Sequence, residues 1–234
     1  MKRIGLLGGM SWESTALYYR LLNEGVAARL GGLHSADCVL VSVDFAAIAE
    51  LQAAGRWDEA GRVLAGEARL LEAAGAEVLL VCSNTMHKVA DQVEAAVDIP
   101  LLHIADTTAT AAEGAGLSRV ALLATAYTME QTFLRDRLTA HGLEVVVPDA
   151  AGRALVHRVI YEELCRGVVD DTSRRRVSDV IADLVADGAD GVILGCTEIE
   201  LLIGPDDSPV PVLPTTRIHA TAALDVALGH PVSS

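Results

Sequence analysis

The chain has 234 residues, of which 51% are hydrophobic and 21% charged, with a formal net charge of -14 at pH 7. This length and apolar content can close a hydrophobic core without disulfides, and they exclude a disordered or collagen-like chain. The acidic excess argues against a nucleic-acid partner, because phosphate is bound by Lys and Arg. No apolar run reaches the roughly 18 residues of a membrane span. The short apolar run after Arg3 does not resemble a secretion signal, so we expect a cytoplasmic protein.

Short apolar runs alternate with longer stretches of helical periodicity, which is the pattern of βα units on a parallel sheet. The predicted strands are 2–7, 37–43, 77–82, 100–104, 118–123, 144–147, 191–196 and 211–213. The predicted helices lie near 12–30, 46–54, 57–74, 86–96, 106–115, 129–140, 152–166, 173–187 and 217–228. The eight strands form two groups of four.

An internal repeat divides the chain into two similar halves. RIGLL at 3–7 matches RVALL at 119–123, VLLVC at 78–82 matches VILGC at 192–196, and the segment from Pro100 matches that from Pro211. We therefore predict an α/β fold of two similar Rossmann-like lobes, each with a four-stranded parallel sheet flanked by helices. The first lobe would comprise 1–105 and 212–234, and the second 106–211. The functional site is expected in a cleft between the lobes.

Two of the four cysteines end matching strands of the repeat. Cys82 and Cys196 each follow an apolar strand and precede polar residues and a helix, and TEIE at 197–200 matches a capping box. Ligands of parallel sheets bind at this edge, and a helix N-terminus can bind a carboxylate or lower a thiol pKa. Cys38 and Cys165 are assigned structural roles. A single strand-end cysteine is as often a buried core residue, so the prediction depends on the pair.

Two opposed thiols suit racemisation, in which a thiolate removes the proton of an α-carbon while a thiol delivers one to the other face. This chemistry needs neither a metal nor pyridoxal. The glycine loop GLLGG at 5–9 also lies at this edge but does not match a dinucleotide fingerprint. The seven histidines lack metal-ligand spacing, so they are assigned structural or supporting roles, with His87 and His219 as the two of most interest.

These motifs resemble the aspartate/glutamate racemase family, the pyridoxal-independent amino-acid racemases. The resemblance is carried by IGLLGGMSWEST (4–15), CSNTMH (82–87), GCTEIELL (195–202) and TTRIHA (215–220), and it covers nearly the whole chain. It implies a cofactor-free enzyme, commonly a homodimer, with Cys82 and Cys196 as the acid/base thiols. It also implies substrate-binding roles that are assigned to Met10, Asn84, Thr85, Thr125, Thr128 and Thr197.

The resemblance is looser at the positions that would choose the substrate. Aspartate-specific members carry an arginine after the second strand, where this chain has Ile48 and Gln52. A second basic position of those members is retained in type at Arg166. The resemblance therefore makes Gln52 and Arg166 the candidates for binding the substrate side chain. The stretch 42–61 is closer to the broad-specificity branch, which accepts neutral amino acids, although an ordinary amphipathic helix would look the same. Pro214 replaces the Asp that usually precedes Thr-Thr-Arg.

Several other functions remain open from the sequence. Hydantoin racemases share two cysteines, and maleate isomerases are also related. One-thiol decarboxylases lack the second cysteine. A non-catalytic two-lobe protein that binds small carboxylates would need the same loop and helix caps, and a redox switch would need the two thiols within bonding distance.

Overall fold

The computed structural model describes residues 1–229 and contains two compact units. The first unit comprises Met1–Ile104 and residues 219–229, and the second comprises Ala105–Ile218. Both are α/β units with a parallel sheet and flanking helices, as predicted. Among residues 1–229, none of the helices combines the length and the apolar content that a membrane-spanning helix needs.

The sheet of the first unit has three parallel strands in the order β2-β1-β3. Its strands are β1 (Ile4–Gly8), β2 (Cys38–Ser42) and β3 (Val78–Val81). The helices around it are α1 (Trp12–Leu30), α2 (Phe45–Ala53), α3 (Trp57–Ala73) and α4 (Ala90–Glu94), with a 3₁₀ turn over Thr85–Val89 before α4.

The second unit begins in α5 (Ile104–Gly114) and ends in α10 (Thr215–Leu228). Its four parallel strands have the order β5-β4-β6-β7 and are β4 (Arg119–Leu123), β5 (Glu144–Val146), β6 (Gly191–Leu194) and β7 (Val212–Pro214). The helices are α6 (Ala126–Glu130), α7 (Phe133–Ala140), α8 (Ala150–Arg158) and α9 (Asp171–Ala186). A π-helical turn, Val159–Glu163, and 3₁₀ turns at Leu164–Arg166, Ile199–Leu201 and Pro205–Asp207 complete it.

The predicted fourth strand of the first lobe, 100–104, is wrong as a strand. In this segment Leu101 forms a single bridge to Leu79, with hydrogen bonds of 2.9 Å from Leu79 N to Pro100 O and from Leu102 N to Leu79 O. Pro100 has no N–H to donate, and α5 begins at Ile104. The segment is therefore too short for a ladder, and the first unit has three strands instead of four.

The sheet of the first unit is covered on both faces at β1 and β3, which are buried along their whole length. Leu7 and Val81 pack into one buried cluster with α3, while Leu6 and Leu80 pack into another with α1 and α10. Alternate side chains of a strand point to opposite faces, so continuous apolar runs such as VLLV fill two cores at once.

The division into units differs from the sequence-based one over residues 212–218. The repeat assigned these residues to the first lobe, but Val212–Pro214 pairs with β6 as strand β7. Backbone hydrogen bonding thus holds this segment in the second unit, and the chain leaves that unit inside α10. Residues 230–234 of the predicted first lobe lie outside the described residues.

Candidate active site

The loop after β1 is held in place by a close approach of two backbone segments. Gly9 has a φ of +93°, and a Cβ on it would lie 2.3 Å from Val43 O. Its N–H donates to Thr15 Oγ1 at 2.8 Å, and the Ser11 side chain accepts from Ser14 N to cap α1. Only glycine fits this position. The next residue, Met10, packs in the same buried cluster as Leu7.

Cys82 lies directly after β3, and its thiol is fully buried. Its N–H donates to Leu7 O at 2.9 Å, which continues the β1–β3 ladder by one residue. Burial raises the pKa of the Cys82 thiol well above its usual range. The segment after Cys82 is a short 3₁₀ turn and not the start of a longer helix, and burial raises the thiol pKa that a helix N-terminus could have lowered.

His87 ties the loop after Cys82 to the start of α5. Its Nε2 accepts the N–H of Ile104 at 3.2 Å, which assigns the ring proton to Nδ1, and Nδ1 donates to Ser83 O at 2.7 Å. His219 is fully buried, and burial lowers its pKa to about 4. It donates from Nε2 to Leu102 O and accepts from the Tyr18 hydroxyl, both at 2.8 Å. Both histidines are thus neutral supports of the first unit.

The other predicted site residues of the first unit lie around the segment that follows Cys82. Asn84 is buried, and Thr85 opens the 3₁₀ turn. Gln52, on α2, is also buried and donates from Nε2 to Met86 Sδ at 2.9 Å. Met86 shares a buried cluster with Met10, whereas Cys82 packs into the cluster on the other face of the sheet. Asn84 and Thr85 are thus close to Cys82 along the chain, and Gln52 reaches the same segment at Met86. We call Met10, Gln52, Cys82, Asn84 and Thr85 the first half-site.

Cys196 lies two residues beyond β6 and is 9% exposed. In this unit Gly195 N donates to Leu123 O at 2.8 Å, the bond that Cys82 itself makes in the first unit. The second cysteine is therefore one residue further from its strand than the repeat predicted. Its Sγ donates a hydrogen bond of 2.9 Å to Glu198 Oε2. Burial, followed by the charge of Glu198, raises the pKa of the Cys196 thiol.

The capping box predicted at 197–200 is not formed. Glu200 Oε1 accepts the N–H of Thr216 at 3.2 Å, so this carboxylate caps α10 rather than its own turn. Pro214 immediately precedes α10, at the position where a side-chain acceptor usually serves the first turn. Glu200 supplies that acceptor from the neighbouring 3₁₀ turn. Thr197 Oγ1 lies 3.3 Å from Thr216 Oγ1 at the same helix end.

The remaining predicted residues of the second unit divide into two groups. The hydroxyls of Thr125 and Thr128 lie 3.3 Å apart where β4 leads into α6, and both residues are buried. Arg166 instead lies on the exposed 3₁₀ turn before α9. We call Thr125, Thr128, Arg166, Cys196 and Thr197 the second half-site.

Sequence reasoning missed two polar neighbours of Cys196. Glu198 was read only as part of a cap, and Tyr161 lies in the π-helical turn, which no sequence pattern indicated. Burial and the nearby Cys196 and Cys165 raise the pKa of Tyr161 to about 12. A single acidic residue two positions after a strand-end cysteine was the available signal for Glu198.

Residues 1–229 contain no group of three His, Cys, Asp or Glu side chains placed to hold a metal ion.

Glu200 should make the stability of the protein depend on pH. Its pKa is raised from 4.5 to about 7, first by burial, so the folded state favours the protonated form. The contribution of Glu200 to the free energy of unfolding is therefore greatest below pH 4.5. It falls by about 3 kcal/mol as the pH rises through about 7. Chemical denaturation at pH 5 and pH 8 should show a smaller difference for Glu200→Gln than for the wild type. An unchanged difference would contradict this assignment.

The fold and the site define an α/β protein with a buried thiol at the carboxyl end of each of two parallel sheets. Residues 7–223 match the family model described as Asp/Glu/Hydantoin racemase, and the chain belongs to this family. It is therefore a member of a racemase family, that is, of isomerases.

Solved structures agree with this assignment. The chain is 56% identical to a Yersinia pestis protein proposed to be an Asp/Glu racemase, with a TM-score of 0.93 over 97% of this chain and 100% of that one. It is 33% identical to an aspartate racemase homologue from Pyrococcus horikoshii OT3, with a TM-score of 0.86 and the same coverage of both chains. An aspartate racemase from Picrophilus torridus shares the fold at 20% identity, with a TM-score of 0.75 over 99% of this chain and 96% of that one.

Proposed function

We propose that the protein is a cofactor-independent amino-acid racemase that uses Cys82 and Cys196 as its two acid/base groups. The observation that carries this proposal is the placement of a buried cysteine at the carboxyl end of each sheet, next to the loop of its first strand. Membership of the racemase family supports the reaction type.

In the proposed reaction the thiolate of one cysteine takes the α-proton of the amino acid. The electron pair left on the α-carbon delocalises into the carboxylate, and the thiol of the other cysteine protonates the opposite face. The two cysteines exchange roles for the other enantiomer, so each turnover leaves one thiol and one thiolate. Atoms and charges balance without any further reactant.

The raised thiol pKa values fit this chemistry. An α-proton next to a carboxylate is weakly acidic, and a proton acceptor becomes a stronger base as the pKa of its conjugate acid rises. Burial of both sulfurs excludes water and raises their pKa values. The cost is a small thiolate population, which the substrate ammonium would increase when it binds near the sulfur.

The neutral side chains on α2 favour a broad range of amino acids over acidic ones alone. Ile48 is buried on α2, and Gln52 directs its amide N–H to Met86. Neither offers the bidentate contact with which arginine selects a second carboxylate. Arg166 is the remaining basic candidate for acidic substrates, and it is exposed. We therefore propose that neutral amino acids are turned over as well as aspartate and glutamate.

A substrate panel tests the function directly. Each common L-amino acid is incubated with the protein without pyridoxal phosphate, followed by chiral chromatography and by NMR of α-proton exchange in D₂O. We expect formation of the D-enantiomer with loss of the α-proton signal. The panel also contains a 5-substituted hydantoin, because the family description includes hydantoin racemases, and maleate. Turnover of one of these alone, or no exchange in any amino acid, would contradict the proposal.

A further inference from the structure

The two thiols have different polar environments. Cys196 donates to Glu198 Oε2 at 2.9 Å, and the carboxylate is only two residues further along the chain. The pKa of the Cys82 thiol is raised by burial alone, with no acidic group contributing. Cys196 is also one residue further from its strand than Cys82. Sequence symmetry between the halves therefore does not extend to the chemistry of the sulfurs.

We propose that Glu198 is a positioning residue that keeps Cys196 as the protonated thiol, so that the resting enzyme has Cys82 as its base and Cys196 as its acid. This inference rests on the proposed two-thiol function. The carboxylate accepts the S–H and opposes a second negative charge 2.9 Å away on the sulfur. Because Cys196 is buried and Glu198 is partly buried, this repulsion is screened less by solvent than it would be at the surface. The first proton lost from the two thiols then comes from Cys82.

Other titratable groups surround the Cys196–Glu198 pair without offering the same charge. Tyr161 and Tyr127 lie on the neighbouring turn and on α6, and the raised pKa of Tyr161, about 12, keeps it neutral at physiological pH. Cys165 is an exposed thiol on the following 3₁₀ turn. The charge of Glu198 helps to raise the pKa of Glu200, whose Oε1 accepts the N–H of Thr216. Glu198 is thus the anion in direct contact with the sulfur.

The assigned roles should appear in the pH dependence of the reaction. Two enantiomers have equal free energies, so kcat/KM must be the same in both directions and cannot reveal the difference. The rate requires one thiol and one thiolate, which limits activity to the range between the first and second proton losses of the pair. With Cys196 as the last thiol to ionise, Glu198→Gln should move the alkaline limb of kcat/KM to lower pH and leave the acid limb in place.

Cysteine alkylation tests the inference without any substrate. Wild type, Glu198→Gln and Glu200→Gln are treated with iodoacetamide at several pH values, and the rate at each cysteine is followed by peptide-resolved mass spectrometry. Glutamine keeps the shape and an acceptor oxygen but removes the charge. For each unit by which the pKa of Cys196 falls, thiolate rises tenfold and intrinsic nucleophilicity falls about threefold. Alkylation of Cys196 should therefore accelerate about threefold per unit, relative to Cys165.

The same samples contain the controls. Cys82 should react at the wild-type rate in Glu198→Gln, and Cys196 should do so in Glu200→Gln. The proposal is overturned if Cys196 does not accelerate, or if Cys82 accelerates equally. If Glu198→Gln does not fold, Glu198→Asp is used instead, because it keeps the charge but moves it away from the sulfur. Alkylation of Cys196 should then accelerate less than in Glu198→Gln, but in the same direction. If no amino acid is racemised, the proposed function is wrong. The alkylation rates still show whether Glu198 keeps Cys196 protonated, so the two failures can be told apart.

Discussion

Substitution of either Cys82 or Cys196 by serine is expected to lower kcat/KM for racemisation by about 10²–10⁴-fold, the usual contribution of a general acid or base. The hydroxyl is close in size to the thiol but is a far weaker acid, so it neither forms the required anion nor delivers a proton at the same rate. Chiral chromatography of the preferred amino acid gives the rate. No disulfide is lost, but burial of the more polar hydroxyl should lower the free energy of unfolding by about 1–3 kcal/mol.

Cys38→Ser is the matched control for these two variants. Cys38 begins the edge strand β2 and belongs to neither half-site. We expect its activity to stay within about twofold of the wild type, in keeping with a substitution away from the reacting groups. If Cys82→Ser and Cys196→Ser retained full turnover, the thiol mechanism would be excluded. Titration calorimetry measures amino-acid binding to both variants. A non-catalytic protein that binds carboxylates would bind amino acids in the wild type and in every variant, and would convert none of them.

Gly9→Ala is expected to lower the free energy of unfolding by about 2–5 kcal/mol. A left-handed backbone costs a non-glycine residue about 1–2 kcal/mol, and relief of a severe overlap costs about 1–3 kcal/mol more. The added Cβ would lie 2.3 Å from Val43 O and 2.5 Å from Val43 N, and neither backbone atom can rotate away. Urea denaturation of both proteins measures the difference.

Gly142→Ala isolates the contribution of the close contact. Gly142 has nearly the same φ, +90°, but nothing lies within 4 Å of the position that a Cβ would take. This variant should lose only about 1–2 kcal/mol, the conformational part. Equal losses in the two variants would show that the approach of the Gly9 loop to Val43 contributes nothing. A larger loss at Gly9 supports the role of this contact in placing Met10.

The strands next to the cysteines could be predicted because their apolar runs are bounded by glycine or polar residues. VLLV before Cys82 and GVIL before Gly195 form strands in the structure. The segment after Pro100 has a similar composition but makes one bridge, because a short run between a proline and a helix start leaves room for no ladder. Local pattern predicts a strand, whereas hydrogen bonding with a neighbour decides whether it forms.

The site was less predictable than the fold, since its polar contacts join residues distant in sequence. Thr197-Glu198-Ile199-Glu200 has the spacing of a capping box, yet Glu200 turns to Thr216, sixteen positions away. Gln52 reaches Met86 across 34 positions. Residue type and spacing identify candidates for such contacts, but the partner depends on which elements fold together.

The sequence by itself determined the α/β class, the repeated strand pattern, the two strand-end cysteines and the resemblance to the racemase family, because these depend on local periodicity and on motifs. Only the tertiary structure decided that both thiols are buried with raised pKa values, that β7 belongs to the second unit, and that Cys196 donates its S–H to Glu198. Burial, strand pairing and charge proximity are properties of the folded chain. They make two cysteines that look equivalent in the sequence chemically different.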